Sequence, residues 1–173
     1  MRWTLAGCSA LAALAAVWRL GATYTLVPFL GFLALGVALS WIDLTEHRLP
    51  NRLVLPGIAA SLPVLLIDAL LLGDVSAWLR ALVGAVVLCG FYLLLALLSP
   101  GGMGMGDVKL AALVGLFAGY LGWEVLVAAT FGGFLLGGVA ALVAVLRGAN
   151  RRVAIPFGPW MLGGFWLAVA LAP

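Results

Sequence analysis

Charged residues are scarce in this sequence of 173 residues, where Asp, Glu, Lys and Arg together make up 9% of the chain. Hydrophobic residues make up 66%, and the mean hydropathy is +1.26. Because soluble globular domains carry about 25% charged residues, this composition excludes a soluble domain and predicts an integral membrane protein. A spanning helix needs roughly 20 apolar residues, so the chain has room for about six or seven spans and for no separate soluble catalytic domain.

Metal-binding and redox patterns are also absent. The two cysteines, Cys8 and Cys89, lie in apolar stretches without a CxxC spacing, which excludes a disulfide framework and a zinc site built on cysteine. The single histidine, His47, follows Asp43 by four residues and could share a metal ion with it on a continuous helix. Pro50 and the composition of this stretch indicate that the helix is ending, and no HExxH motif is present. We therefore expect no metal and no cofactor.

The apolar runs predict an all-α fold. They are separated by polar residues and give seven candidate spans, at roughly 3–20, 24–43, 53–72, 77–98, 107–121, 123–146 and 153–172. The fifth is the shortest and is divided from the sixth only by Gly122. The sequence thus predicts a single transmembrane domain, residues 1–173, built as a polytopic bundle of six or seven helices.

The basic residues lie between the apolar runs, where they indicate topology rather than a nucleic-acid surface. With a cytoplasmic N-terminus, Arg19 and Arg80 fall on the outer side together with Asp68, Asp74 and Glu124. The inner side then collects Arg2, Arg48, Arg52, Lys109, Arg147, Arg151 and Arg152. This asymmetry follows the positive-inside rule and predicts a cytoplasmic N-terminus.

Glycine is abundant, with 23 residues, and two pairs of glycines have the spacing of helix-packing motifs. Gly115 and Gly119 lie four residues apart in the fifth predicted span, as do Gly133 and Gly137 in the sixth. Small residues at this spacing share one helix face and let two helix backbones approach closely in lipid. We expect tight helix pairs at both motifs.

Two of the six acidic residues, Asp43 and Asp107, occupy the inner ends of predicted spans. An ionisable group at the edge of a span is a functional hypothesis by default, because its burial is costly. Each has a simpler structural interpretation: Asp43 as an interfacial carboxylate beside the loop, and Asp107 as a cap at the start of a helix after a glycine-rich turn. The topology favours a joint role, since it places both carboxyls at the same membrane depth.

Paired carboxyls in a poorly solvated site support the chemistry of an aspartic protease. Two such groups cannot both ionise easily, so the pair holds one proton between them. The ionised member can take a proton from water while the protonated member polarises a peptide carbonyl. Gly104 and Gly106 fit this hypothesis, because a turn without side chains lets a peptide substrate lie against the backbone.

Three segments around these residues resemble the prepilin peptidases, the membrane aspartic peptidases of type IV pilus, pseudopilin and Flp-pilus systems. Asp43 followed by Leu49-Pro50-Asn51 is similar to the first motif of that family. Gly104-Met105-Gly106-Asp107-Val108-Lys109-Leu110 is similar to its GxGDxKL segment, and Ile155-Pro156-Phe157-Gly158-Pro159 to the motif that opens its last helix. The three segments occur in the family's order and are separated by apolar spans.

The resemblance implies that Asp43 and Asp107 are the catalytic pair and that the reaction removes a short basic leader, usually after a glycine, from a prepilin-like membrane protein. It implies a bacterial inner membrane enzyme with its site at the cytoplasmic face, with no cofactor and no nucleic-acid partner. Substrate contact or shaping of the site is implied for the other motif residues: Pro50, Asn51, Gly104, Gly106, Lys109, Pro156 and Gly158. Larger members carry an N-terminal extension with paired CxxC motifs linked to N-methylation. That pattern is missing here, so the resemblance does not extend to methyltransferase activity.

Two alternatives remain open at the level of sequence. A transporter or assembly factor could use Asp43 and Asp107 to bind ions or relay protons, but it would need polar groups near mid-membrane, where these spans are apolar. A GxGD peptidase of the presenilin type would cut within the membrane. The location of both carboxyls at the inner edge favours cleavage near the interface.

Overall fold

A computed structural model describes residues 7, 10–14, 16–18, 25–98, 103–148 and 156–172 of the chain. Six helices are defined there, and these residues contain no strand. The helices are α1 (Leu26–Glu46), α2 (Asn51–Leu72), α3 (Val75–Leu98), α4 (Met105–Leu121), α5 (Trp123–Leu146) and α6 (Gly158–Leu171). The all-α prediction is confirmed, and each of these helices lies within a few residues of a predicted span.

The first predicted span, 3–20, lies largely outside the described residues, although residues 10–14 and 16–18 are helical. Four of the basic residues used to predict the orientation also lie outside them: Arg2, Arg19, Arg151 and Arg152.

Four of the six helices are long and apolar enough to cross a membrane, namely α1, α2, α3 and α5. The other two are shorter, with 17 residues in α4 and 14 in α6. Most of α4 is nevertheless buried, because α2, α3, α5 and α6 all contact it. The chain is therefore a multi-pass membrane protein with a short, enclosed helix near its centre.

Successive helices run in opposite directions, so the bundle has two distinct ends. We call the end where α1, α3 and α5 finish the near end, and the opposite end, which holds the α2–α3 turn, the far end. The loop between α1 and α2 and the first turns of α4 and α6 all lie at the near end. All three sequence motifs are thus brought to one end of the bundle.

Glycines allow the closest helix contacts, as the sequence predicts. In the pair α3–α4, a Cβ atom added to Gly84 would lie 2.6 Å from the carbonyl oxygen of Gly115, and one added to Gly119 would lie 2.8 Å from the carbonyl oxygen of Arg80. In the pair α5–α6, a Cβ atom on Gly133 would lie 3.2 Å from the Cα atom of Met161. Backbone meets backbone at both interfaces, so no side chain can move to make room.

We expect Gly84→Ala to lower the free energy of unfolding by about 1–3 kcal/mol, because the added methyl group overpacks a backbone contact. Gly90→Ala is the matched control, since it lies on the same helix and its added Cβ would meet nothing within 4 Å. Thermal unfolding of the purified protein in detergent measures both variants. Equal unfolding midpoints for the two would contradict this account of the α3–α4 interface.

A buried polar network lies toward the far end and was not predicted. Asp68, only 3% exposed, accepts a hydrogen bond from the Tyr120 hydroxyl at 2.6 Å and one from the Thr25 hydroxyl at 3.3 Å. The Arg80 guanidinium donates to the carbonyl oxygens of Gly119 and Tyr120, both at 3.1 Å. These contacts connect α1, α2, α3 and α4 and satisfy carbonyl groups at the end of α4.

Asp74, in the exposed turn between α2 and α3, has a local structural role. The Ser76 hydroxyl and the Ala77 N–H donate hydrogen bonds to its carboxylate, and these bonds hold the pKa of Asp74 below its usual range. Such hydrogen bonds favour the charged form of a carboxylate. Asp74 therefore acts as a cap at the start of α3.

Candidate active site

Three helix ends meet at the near end of the bundle. Asp43 lies in the last turn of α1, Asp107 in the first turn of α4, and Gly158 is the first residue of α6. The three residues come from the three sequence motifs, and they are up to 115 positions apart along the chain. Antiparallel packing of α1 against α6, and contact of α4 with α6, bring them together.

The Asp43 side chain is 4% exposed and is held by the start of α6. Its Oδ2 atom accepts a hydrogen bond from the backbone N–H of Gly158 at 3.0 Å. The first N–H groups of a helix have no partner within the helix, and the helix dipole makes this end attractive to a carboxylate. The N-terminus of α6 thus stabilises a carboxyl that the membrane interior would otherwise exclude.

Gly158 allows a very close approach between α6 and the carboxyl group. A Cβ atom at this position would lie 2.8 Å from Asp43 Oδ2 and 3.3 Å from the Cδ2 atom of Leu110. Leu110 follows Asp107 by three residues on α4, so α1, α4 and α6 are all in contact around this glycine. Any side chain here would push the Asp43 carboxyl out of place.

Asp107 is half-buried and reaches back to the start of its own helix, although the N-cap position that its structural interpretation predicts is taken by Gly104. Its Oδ2 atom accepts a hydrogen bond from the Gly104 backbone N–H at 3.2 Å. Leu110, one turn further along α4, reaches the same glycine, Gly158, whose N–H holds Asp43. The structure therefore brings the two predicted carboxyls into one site, with one backbone N–H donated to each and with helix N-termini behind both.

The remaining motif residues connect the α1–α2 loop to the start of α4. A Cβ atom on Gly106 would lie 2.8 Å from the Cβ atom of Leu49, so this glycine serves close packing within the chain. The Lys109 ammonium group donates a hydrogen bond to the Asn51 side-chain oxygen at 2.8 Å. The first two motifs are thus directly joined, through a contact that no local sequence pattern predicts.

Other predicted site residues lie around this core. Gly104 is exposed, but its N–H binds the Asp107 carboxylate and its carbonyl oxygen accepts the N–H groups of Asp107 and Val108. Pro50 is half-buried directly before α2, and Pro156 is half-buried two residues before α6. Ile155, the first residue of the third motif, lies outside the described residues.

His47 does not extend the helix that carries Asp43. It takes a left-handed conformation at φ 53° directly after α1, and its backbone N–H bonds to the carbonyl oxygen of Asp43. Within the described ranges, no three His, Cys, Asp or Glu side chains come together as metal ligands would.

The buried acidic side chains of the described residues lie near the two ends of the bundle, Asp43 at the near end and Asp68 toward the far end. They do not form a continuous polar path through its centre. Two carboxyls that share one end of the bundle can hold and transfer one proton between them and a bound water.

Comparison with known proteins gives a consistent result. Residues 29–142 match the type IV leader peptidase family. The chain is 33% identical over 133 residues to a prepilin leader peptidase/N-methyltransferase of Bacillus subtilis (strain 168), covering 75% of this chain and 49% of that protein. It is 38% identical over 122 residues to the protein of the same name from Pseudomonas putida, covering 69% and 40%. The chain thus spans half or less of the length of these relatives, and no solved structure matches it.

Proposed function

Since this chain belongs to the type IV leader peptidase family, we propose that it is a membrane aspartic endopeptidase whose catalytic pair is Asp43 and Asp107. One observation carries the proposal: two carboxyls from distant motifs share one site at one end of a membrane bundle, and each accepts a backbone N–H. The relatives are named for two activities, leader peptidase and N-methyltransferase, and we propose only the peptidase activity for this chain.

The reaction we propose is hydrolysis of one peptide bond by an activated water. The ionised carboxylate takes a proton from the water, whose oxygen forms a bond to the peptide carbon. The protonated partner polarises the carbonyl oxygen and stabilises the charge that develops there. The C–N bond then breaks, and the leaving amine takes up a proton from the pair. The proton belongs to the pair as a whole, so neither residue is assigned as the base.

The proposed substrate is a prepilin-like membrane protein with a short basic leader and an apolar helix, and the cut falls between them. The helix would lie in the bilayer beside the bundle while the leader extends to the near end. We place this end at the cytoplasmic face of a bacterial inner membrane. Among the described residues, Arg80 lies toward the far end, and four basic residues lie at the near end: Arg48, Arg52, Lys109 and Arg147.

Co-expression with a tagged prepilin-like precursor tests the function. In membranes that contain this chain, the precursor should become shorter by the mass of its leader, with one new N-terminus in the product. Membranes without the chain are the control. A panel of precursors of the type IV, pseudopilin and Flp classes also reveals the preferred substrate. Failure to cut any of them, with the chain present at normal levels, would refute the proposed activity.

A further inference from the structure

Tyr92 lies near the end of α3 that approaches the candidate active site, and its hydroxyl is an unexplained polar group. The side chain is 0% exposed, and within the described residues its hydroxyl has no hydrogen-bond partner. Buried tyrosine hydroxyls usually find a partner, because an unpaired one loses its hydrogen bonds to water without replacement. An exception of this kind calls for an explanation in function or structure.

The register of α3 against α4 places Tyr92 opposite Asp107. The close contacts pair Arg80 with Gly119 and Gly84 with Gly115, so four residues forward on α3 correspond to four residues back on α4. Two further steps toward the near end reach Tyr92 on α3 and Asp107 on α4. Residues four apart share a helix face, so this register continues along one interface. In agreement with it, Gly84, Leu88 and Tyr92 are all buried, at successive four-residue steps along α3.

Two aromatic rings hold the Tyr92 ring in place. Phe134 of α5 stacks on it with ring centroids 5.5 Å apart, and Phe157 packs against it at 6.0 Å. Phe157 directly precedes Gly158, whose N–H binds Asp43. Tyr92 is therefore fixed against the segment that holds Asp43.

We infer that Tyr92 is a positioning residue whose hydroxyl donates a hydrogen bond to the Asp107 carboxylate when a peptide occupies the site. The inference rests on the proposed peptidase function. A carboxylate offers about four acceptor sites, and the Gly104 N–H uses one of them at Asp107. Catalytic hydrogen bonds are often unmade without substrate and shorten in the substrate complex. With this bond, the Asp107 carboxylate is held by both its own helix and α3.

The test compares Tyr92→Phe with Tyr120→Phe in the same cleavage assay. Each change removes one buried tyrosine hydroxyl. Tyr92 lies on α3, whereas Tyr120 lies on α4 and its hydroxyl donates a hydrogen bond to Asp68 toward the far end. The probe is a synthetic precursor with a basic leader that ends in glycine, followed by an apolar helix. The kcat, the KM and the midpoint of thermal unfolding are measured for both variants, for the wild type and for Asp107→Asn.

We expect Tyr92→Phe to lower kcat by roughly tenfold to a hundredfold, as loss of a hydrogen bond to a charged group does, with KM within about twofold of the wild type. Its unfolding midpoint should equal or exceed that of the wild type, because the hydroxyl has no partner within the described residues. Tyr120→Phe should show the opposite pattern, a lower midpoint with unchanged kcat.

Two results would overturn the inference. The first is a kcat of Tyr92→Phe equal to that of the wild type. The second is a fall in kcat together with a fall in the unfolding midpoint, because the two losses together indicate a structural role alone. Cleavage by the wild type together with inactivity of Asp107→Asn would keep the peptidase function intact in either case. The failure of the inference is thus distinguishable from failure of the proposed function.

Discussion

Asp43→Asn and Asp107→Asn are each expected to leave a prepilin-like precursor uncut, with rates reduced by roughly 10²- to 10⁴-fold. Asparagine keeps the size of the side chain but can neither hold nor transfer the shared proton. At Asp43 the amide oxygen can still accept the Gly158 N–H, and at Asp107 it can still accept the Gly104 N–H. The site should therefore stay folded but lose the ability to transfer the shared proton. Mass measurement of the precursor in membranes gives the result.

Asp74→Asn is the matched control for this pair of variants. Asp74 is an exposed carboxylate in the α2–α3 turn, and asparagine is an equally good cap for a helix N-terminus. This variant should cut the precursor at the wild-type rate. Cleavage that persists in either Asp43→Asn or Asp107→Asn, at normal expression, would refute the paired-carboxylate mechanism.

Gly158→Ala is expected to lower the cleavage rate by about a hundredfold although it adds only one methyl group. The added Cβ would lie 2.8 Å from Asp43 Oδ2, so the carboxyl has to move away and its hydrogen bond to the Gly158 N–H is strained or lost. A displacement of about 1 Å at a catalytic group can cost on the order of 10²-fold in rate. The rate of cleavage of the same precursor, measured in membranes, tests this prediction.

Gly163→Ala provides the control on the same helix. Its added Cβ would make an ordinary contact at 3.4 Å with the Cδ1 atom of Leu136. We expect Gly163→Ala to cleave at the wild-type rate. Equal activity of the two variants would show that the Asp43 position does not depend on the closeness of α6.

The bounds of the helices could be read from the sequence because a span is a local property. An apolar run of sufficient length ends where a polar residue, Gly or Pro interrupts it, and the predicted span 123–146 coincides with α5. At the third motif, α6 begins at Gly158 rather than at 153. The Gly115 and Gly119 motif also predicted a close helix contact, since the absence of side chains on one face depends on spacing alone.

The partners of each side chain could not be read in this way. The sequence assigned Asp68 only to the outer side, whereas the structure buries it against Tyr120 and Thr25. Gly106 was expected to make room for a peptide, yet in the structure its missing side chain makes room for Leu49. Each of these contacts joins residues from separate helices, whose relative rotation no local pattern encodes.

The sequence by itself determined the class of this protein, its membrane setting, its helices and the two carboxyls at the same end, because composition, hydropathy and spacing are carried by neighbouring residues. Only the tertiary structure decided that the Gly158 N–H holds Asp43, that Lys109 bonds Asn51, and that Tyr92 is buried against Phe134 and Phe157. The physical reason is that these relations depend on the rotation and register of helices against one another. Both are set by close packing at residues such as Gly84 and Gly115.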